Sequence, residues 1–249
     1  MDIVQTFYDS LADHYDKLFQ DWDATTREQA AILDRIFRQQ GFDPAATVLD
    51  CACGIGTQTI GLADLGYPVT ASDISEAELV QAKKRAEGRN ITFKKADFRE
   101  LSKAFHQPFD IVIAMDNALP HMLTQEDLEN AVRSITGQLK ESGIFVGSIR
   151  DYDALRKEKP PYSPPYIHKT ETGQRVSFQT WEWEEDCYKL VQYIIEDGKE
   201  LEVSKFACLY RAVQRQELTE LFLACGCSRV CWLFPEETGF YQPIILAKK

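Results

Sequence analysis

Residues 48–59 read VLDCACGIGTQT: a short apolar run closes on Asp50 and breaks at once into small residues and glycines. Such a break marks the turn from a strand into the helix behind it. Glycines there let a ligand approach the backbone closely. A phosphate-cradling P-loop requires Lys and then Ser or Thr after its last glycine, whereas Gly56 is followed by Thr57, Gln58 and Thr59. A dinucleotide fingerprint needs a third glycine where Thr59 stands, which weakens that reading too. Neither option explains Asp50, whose carboxylate would repel a pyrophosphate and attract a cation.

Upstream of this loop, Phe7, Leu11, Tyr15 and Phe19 recur at helical spacing, and Ile32, Leu33, Ile36 and Phe37 form a second apolar stripe, so two helices precede the first strand. Downstream, PVTASD, ITFKKAD, FDIVIAMD and GIFVGSIR read as strands, separated by helices near 57–65, 76–87 and 125–140. Short apolar strands spaced by helices make a parallel sheet covered on both faces. The pattern changes at Asp151. KEKPPYSPPY (157–166) is too rich in proline for regular structure. RVSFQTWEWEED, CYKLVQYIIED and KELEVSKFACLY then read as long strands, two of them joined by a hairpin at Asp197-Gly198-Lys199. Three units follow from this: 1–150 with the lid helices and the ligand-binding core, 151–210 as an antiparallel insertion, and 211–249 returning to the main sheet through a helix near 214–225 and two strands.

The chain has 249 residues with 44% hydrophobic content, enough for a full core with an elaboration. Its 28 Lys and Arg against 39 Asp and Glu leave a net charge of −11, which argues against nucleic acid or an anionic membrane as partner and for a small-molecule substrate. Neither a leader-like start nor a membrane-length apolar run is legible, so the expected location is the cytoplasm. Seven cysteines without zinc spacing read as reduced, buried thiols, and no metal site is expected.

A ligand with a charged amino-acid end, a sulfonium and a nucleoside suits these features: S-adenosylmethionine. The run from Asp50 to Gly56 resembles motif I of the class I methyltransferases, acid-x-Gly-x-Gly-x-Gly, with Ala52 in place of the first glycine and Gly54 and Gly56 in the other two positions. The resemblance implies an α/β fold with a Rossmann-like, mostly parallel sheet, an antiparallel last strand and a small antiparallel β insertion. Asp73 ends the second strand, 17 residues after Gly56, where a carboxylate accepts both ribose hydroxyls. Asp97 and Phe98 follow the third strand, as an acid and an apolar residue often do beside the adenine. Any one of these acids alone reads as a cap, but three at successive strand ends read as a site.

The chain is also similar to the glycine N-methyltransferases and the microbial glycine and sarcosine N-methyltransferases, through VLDCACGIG (48–56), FDIVIAMDNALPHM (109–122), SIRDYDAL (148–155) and SKFACLY (204–210). This resemblance implies that Asn117 and Arg150 hold the substrate, that Tyr210 lines its pocket, and that Met115 and His121 lie near the cofactor. A guanidinium grips a carboxylate through two parallel hydrogen bonds, which a lysine cannot do. The stretch 7–29 resembles the lid helix of small-molecule methyltransferases, with Tyr15, Trp22 and Arg27 as the residues closing over the methionine end of the cofactor. The alternative for Tyr15 and Trp22 is core packing, and for Arg150 a surface ion pair with Asp151 or Asp153. The implied activity is N-methylation of a small amine carrying a carboxylate, glycine or sarcosine first. A methyltransferase for another metabolite and a non-catalytic S-adenosylmethionine-binding protein remain alternatives, and a nicotinamide oxidoreductase is a more distant one. A homo-oligomer is among the assemblies the sequence allows.

Overall fold

The computed structural model describes residues 3–171 and 173–249; the first two residues of the N-terminal unit and Thr172 of the insertion lie outside the described residues. After α1 (Ile3–Leu11) and a 3-10 turn at Tyr15–Leu18, the Asp21 carboxylate accepts from the Ala24 N–H and opens α2 (Trp22–Gln39). The stripe Ile32, Leu33, Ile36 and Phe37 is buried, as its spacing predicts. Strands and helices then alternate: β1 (Val48–Asp50), α3 (Thr57–Asp64), β2 (Val69–Asp73), α4 (Glu76–Arg85), β3 (Thr92–Lys95), β4 (Phe109–Ala114), α5 (Gln125–Gly137) and β5 (Leu139–Ser148). Next come α6 (Tyr152–Glu158), β6 (Tyr166–Lys169), β7 (Gln174–Glu184), β8 (Cys187–Asp197), β9 (Leu201–Arg211), α7 (Arg215–Ala224), β10 (Arg229–Leu233), α8 (Pro235–Thr238) and β11 (Ile244–Lys248).

Seven strands make one sheet in the order β10-β11-β5-β4-β1-β2-β3, with β11 antiparallel to both neighbours and the other pairs parallel. One face buries Leu33, Phe37 and Leu62 from α2 and α3, and the other buries Leu128, Ile135 and Phe222 from α5 and α7. The chain runs outward from β1 through β2 to β3 and, in the other direction, from β4 to β5. The carboxyl ends of the adjacent β1 and β4 therefore frame the crevice where ligands bind in such sheets. A second sheet, β6-β7-β8-β9, is antiparallel throughout.

Several elements differ from the sequence reading. The helix read through Phe19 ends at Leu11 and gives way to the 3-10 turn, and α8 interrupts the segment between the last two strands. Residues 152–158 form a helix where the insertion was expected to begin in loop and strand, because the Asp151 carboxylate caps it by accepting from Ala154 N–H. The insertion gains the short strand β6, which is paired with β7. The strand read from Gly143 starts at Leu139, and the register break between Phe109 and Ile111, with Ser142 at φ 66°, marks a bulge that absorbs the extra residues.

Where a third fingerprint glycine would stand there is Thr59, but Gly61 allows a different close approach. A Cβ there would meet both the Thr26 carbonyl oxygen and the Ala30 Cβ at 2.6 Å. Gly61→Ala should gain about 1 kcal/mol of helix propensity and lose roughly 1–3 kcal/mol through overpacking of α2 on α3. The expected net result in urea unfolding is a variant of lower stability; a stabilised variant would contradict this packing.

Candidate active site

Asp50 ends β1 with no exposed surface. Its Oδ2 accepts from Thr59 Oγ1 at 2.6 Å and its Oδ1 from the Ala52 N–H at 3.4 Å. Burial pushes its carboxyl up to about 7. The group thus ties the glycine loop to α3 from behind and does not line the crevice, which corrects the expectation of a carboxylate facing a ligand cation. Gly56 caps α3 at φ 97°, also outside the crevice wall, and Gly54 takes φ 50°. The Gly54 N–H donates to Asp73 Oδ2 at 2.9 Å while Asp73 Oδ1 accepts from Ser75 N–H, so β2 and the glycine loop share one carboxylate.

In front of the loop lies a cavity of about 370 Å³ lined, among the sequence candidates, by Tyr15, Ala52, Gly54, Asp73, Asp97, Phe98, Met115 and His121. Asp97 is held by the Arg99 guanidinium, with Nε at 2.9 and 3.0 Å from its two oxygens. Trp22 does not line this cavity. Its Nε1 donates to Thr57 Oγ1 at 3.1 Å and the Arg85 guanidinium lies over its ring, so it acts through Thr57. Arg27 is exposed on α2 and lines neither cavity.

A second cavity of about 690 Å³ opens between the two sheets, lined by Asn117, Arg150, Gln179, Trp181 and Tyr210. Arg150 donates to Tyr188 Oη at 2.7 Å and Gln179 Oε1 at 2.9 Å, and its guanidinium sits over the rings of Trp181 and Tyr210. Among the described residues no carboxylate pairs with it. Asp151 and Asp153, the partners of the surface alternative, are taken by Arg215. Asn117 Oδ1 accepts from Arg150 N–H and Tyr152 Oη–H, while its Nδ2 is buried with no acceptor. The two cavities share Tyr8, Tyr15 and Asp116. Tyr8 Oη is hydrogen-bonded to His121 Nε2 at 2.8 Å, and the His121 ring lies 4.2 Å from that of Tyr210.

Three residues of this geometry escape the sequence reading: Tyr8, Asp116 and Glu78. Glu78 is fully buried on α4, lines the first cavity and leaves Oε1 without a partner. Burial, then Asp73 and Asp9, push its carboxyl well above the ordinary range. Ser75-Glu76-Ala77-Glu78 has the spacing of a helix capping box, which reads as a local device; Asp73 occupies the Ser75 N–H instead and Glu78 turns inward. A Cβ on Gly54 would come within 2.9 Å of Glu78 Oε2.

The strand order and glycine loop define a class I methyltransferase fold. Residues 48–143 match the family model described as a methyltransferase domain. The glycine/sarcosine N-methyltransferase of Parasynechococcus marenigrum is 31% identical over 153 residues, 61% of this chain and 53% of that protein. The enzyme of the same name from Halorhodospira halochloris is 24% identical over 197 residues, 78% of this chain and 70% of that one. The match thus spans about half the length of the first of these relatives. The crystal structure of an S-adenosylmethionine-dependent methyltransferase from Clostridium acetobutylicum superposes with a TM-score of 0.74 over 97% of both chains at 17% identity. Residues 48–143 thus match a methyltransferase domain, on a fold shared with S-adenosylmethionine-dependent methyltransferases.

The first cavity suits that cofactor. Its wall carries Asp73 and Glu78, while Arg99, its one arginine among the described residues, is bound to Asp97 and Asp127. Such a wall accepts from hydroxyls and faces positive charge, as a ligand without phosphate requires. Asp73→Ala should weaken S-adenosylmethionine binding about 10- to 100-fold, because hydrogen bonds to a charged acceptor are lost. Calorimetry reads the change, and unaltered affinity would remove Asp73 from the site.

Proposed function

We propose that this protein transfers a methyl group from S-adenosylmethionine to the nitrogen of a small amine that carries a carboxylate, with glycine and sarcosine as the first candidates. The observation that carries the reading is the pairing of Arg150 with Asn117. A guanidinium without an acidic partner and a buried amide N–H without an acceptor face one cavity, and that cavity shares a wall with the one at the glycine loop. Leaving such groups unmet costs free energy that a bound carboxylate recovers. The names of the two glycine/sarcosine N-methyltransferase relatives support the same acceptor class.

In this reading Asp73 accepts from the ribose hydroxyls, and Ala52 and Gly54 form the backbone floor. Asp97 and Phe98 flank the adenine end, and Met115 and His121 stand near the methyl. Tyr210 and Arg150 hold the acceptor against Asn117. Asp50 and Trp22 act from behind, through Thr59 and Thr57. Arg27 would reach the methionine end only if the start of α2 swung inward. Residues 1–150 supply the cofactor side and, through Asn117 and Arg150, part of the acceptor side; 151–210 supply the rest of the acceptor side, and 211–249 close the main sheet. S-adenosylmethionine supplies an already activated methyl on a sulfonium. The chain contributes orientation, worth on the order of 7–11 kcal/mol when the reacting atoms are aligned. The 690 Å³ cavity exceeds what glycine fills, which favours a larger carboxylate-bearing amine as the second reading.

Incubation with S-adenosylmethionine and a panel of amines, with products read by mass, tests the class. A methylated amino acid supports it, and no product, or product only from amines lacking a carboxylate, contradicts it. Arg150→Lys should lower turnover about 100-fold by letting the amine swing off line, with the cofactor dissociation constant unchanged. Wild-type turnover in this variant would return Arg150 to a structural role.

A further inference from the structure

At the end of β4 the chain passes through two consecutive residues in the left-handed region, Asp116 at φ 55° and Asn117 at φ 72°. Asparagine and aspartate tolerate this region better than other side chains, yet it is strained and persists only when the surroundings fix it. Here they do. The Asp116 N–H donates to Ser148 Oγ at 2.8 Å, the Asn117 N–H donates to the Ser148 carbonyl at 3.0 Å, and Ser148 Oγ–H is tied in turn to Gln242 Oε1. The turn divides the two side chains. Asn117 lines only the Arg150 cavity, whereas Asp116 lines both cavities and so stands at the passage between them.

Asp116 Oδ2 accepts from Gln58 Nε2 at 2.7 Å and Oδ1 from Tyr241 Oη at 2.8 Å, and no cation pairs with it among the described residues. Each carboxylate oxygen keeps a lone-pair site beyond those bonds. In the N-methyltransferase reading the acceptor nitrogen meets the methyl at this passage, which would set it beside the Asp116 carboxylate. We propose that Asp116 is a catalytic residue that binds the acceptor amine and receives its proton during methyl transfer. The inference rests on the N-methyltransferase reading above. The bound ammonium passes one proton to Asp116, whose carboxylate becomes the neutral acid, and the freed nitrogen lone pair forms the new bond to the methyl carbon as the carbon–sulfur bond breaks. The broken pair stays on sulfur, leaving a neutral thioether, and the product carries the positive charge as an N-methylated ammonium. With Arg150 and Asn117 on the carboxylate and Asp116 on the nitrogen, an α-amino acid is fixed at both ends.

The titratable groups facing Asp116 are Tyr15 from the turn after α1, Asp50 at the end of β1 and Tyr241 ahead of β11, with Arg150 acting on Tyr241 from beyond. Burial raises the Asp116 carboxyl, which brings it nearer to the basicity a proton acceptor needs. The test compares wild type and Asp116→Asn in two ways: S-adenosylhomocysteine binding by calorimetry, and kcat/KM for the best amino-acid acceptor across pH. The proposal expects equal S-adenosylhomocysteine affinity in both proteins. It expects kcat/KM to fall about 100-fold or more near neutral pH. It also expects the variant to recover activity at alkaline pH, where the amine loses its proton to water before binding. A variant with the wild-type pH profile and rate overturns the proposal, as does one that loses S-adenosylhomocysteine binding by the same factor as turnover, which would make Asp116 a cofactor residue. If wild type binds S-adenosylhomocysteine but methylates no amine, the parent reading falls and this proposal with it.

Discussion

The backbone leaves β4 through two left-handed residues pinned to Ser148, and the rest of the site depends on that turn. Because β4 lies beside β1, the glycine loop stands immediately next to it, and both open onto the same crevice. β5 lies on the other side of β4, so its last residues carry Arg150 to within hydrogen-bond reach of Asn117. Two cavities therefore meet at a wall of Tyr8, Tyr15 and Asp116 rather than opening on separate faces.

The glycine-loop cavity carries buried or half-buried carboxyls whose ordinary ionisation is opposed by burial: Asp73, Glu78 and Asp116 are all pushed upward. A cationic ligand offsets part of that penalty on arrival. The neighbouring cavity holds a guanidinium that is hydrogen-bonded to Tyr188 and lies over Trp181 and Tyr210, with Asp116, Asp151 and Glu236 also in its wall.

How far the sequence went follows from which interactions are local. The strand–helix alternation and the carboxylate at the end of β2 are written in short windows, because each depends on a periodicity or a strand end. Arg150 and Asn117 came from resemblance alone, since the missing ion partner becomes visible only when Asp151 and Asp153 are seen bound to Arg215. Glu78 stands at capping-box spacing from Ser75, which implies a carboxyl turned back to the Ser75 N–H, whereas Asp73 takes that N–H and Glu78 turns inward. Asp50 shows the converse: a strand-end acid that reads as a ligand contact is consumed by Thr59 and the loop backbone. Asp116 escaped because nothing in FDIVIAMDNALPHM announces a left-handed turn or a second cavity behind it. The helix at 152–158 escaped because the prolines that follow dominate the reading of that stretch.

The most direct test is a crystal structure of the protein with S-adenosylhomocysteine and the amino acid it methylates best. The account predicts the carboxylate within hydrogen-bond distance of the Arg150 guanidinium and Asn117 Nδ2. It also predicts the cofactor sulfur and the acceptor nitrogen facing each other past Asp116, with the ribose on Asp73. A carboxylate bound away from Arg150, or a sulfur turned from the shared wall, would contradict it.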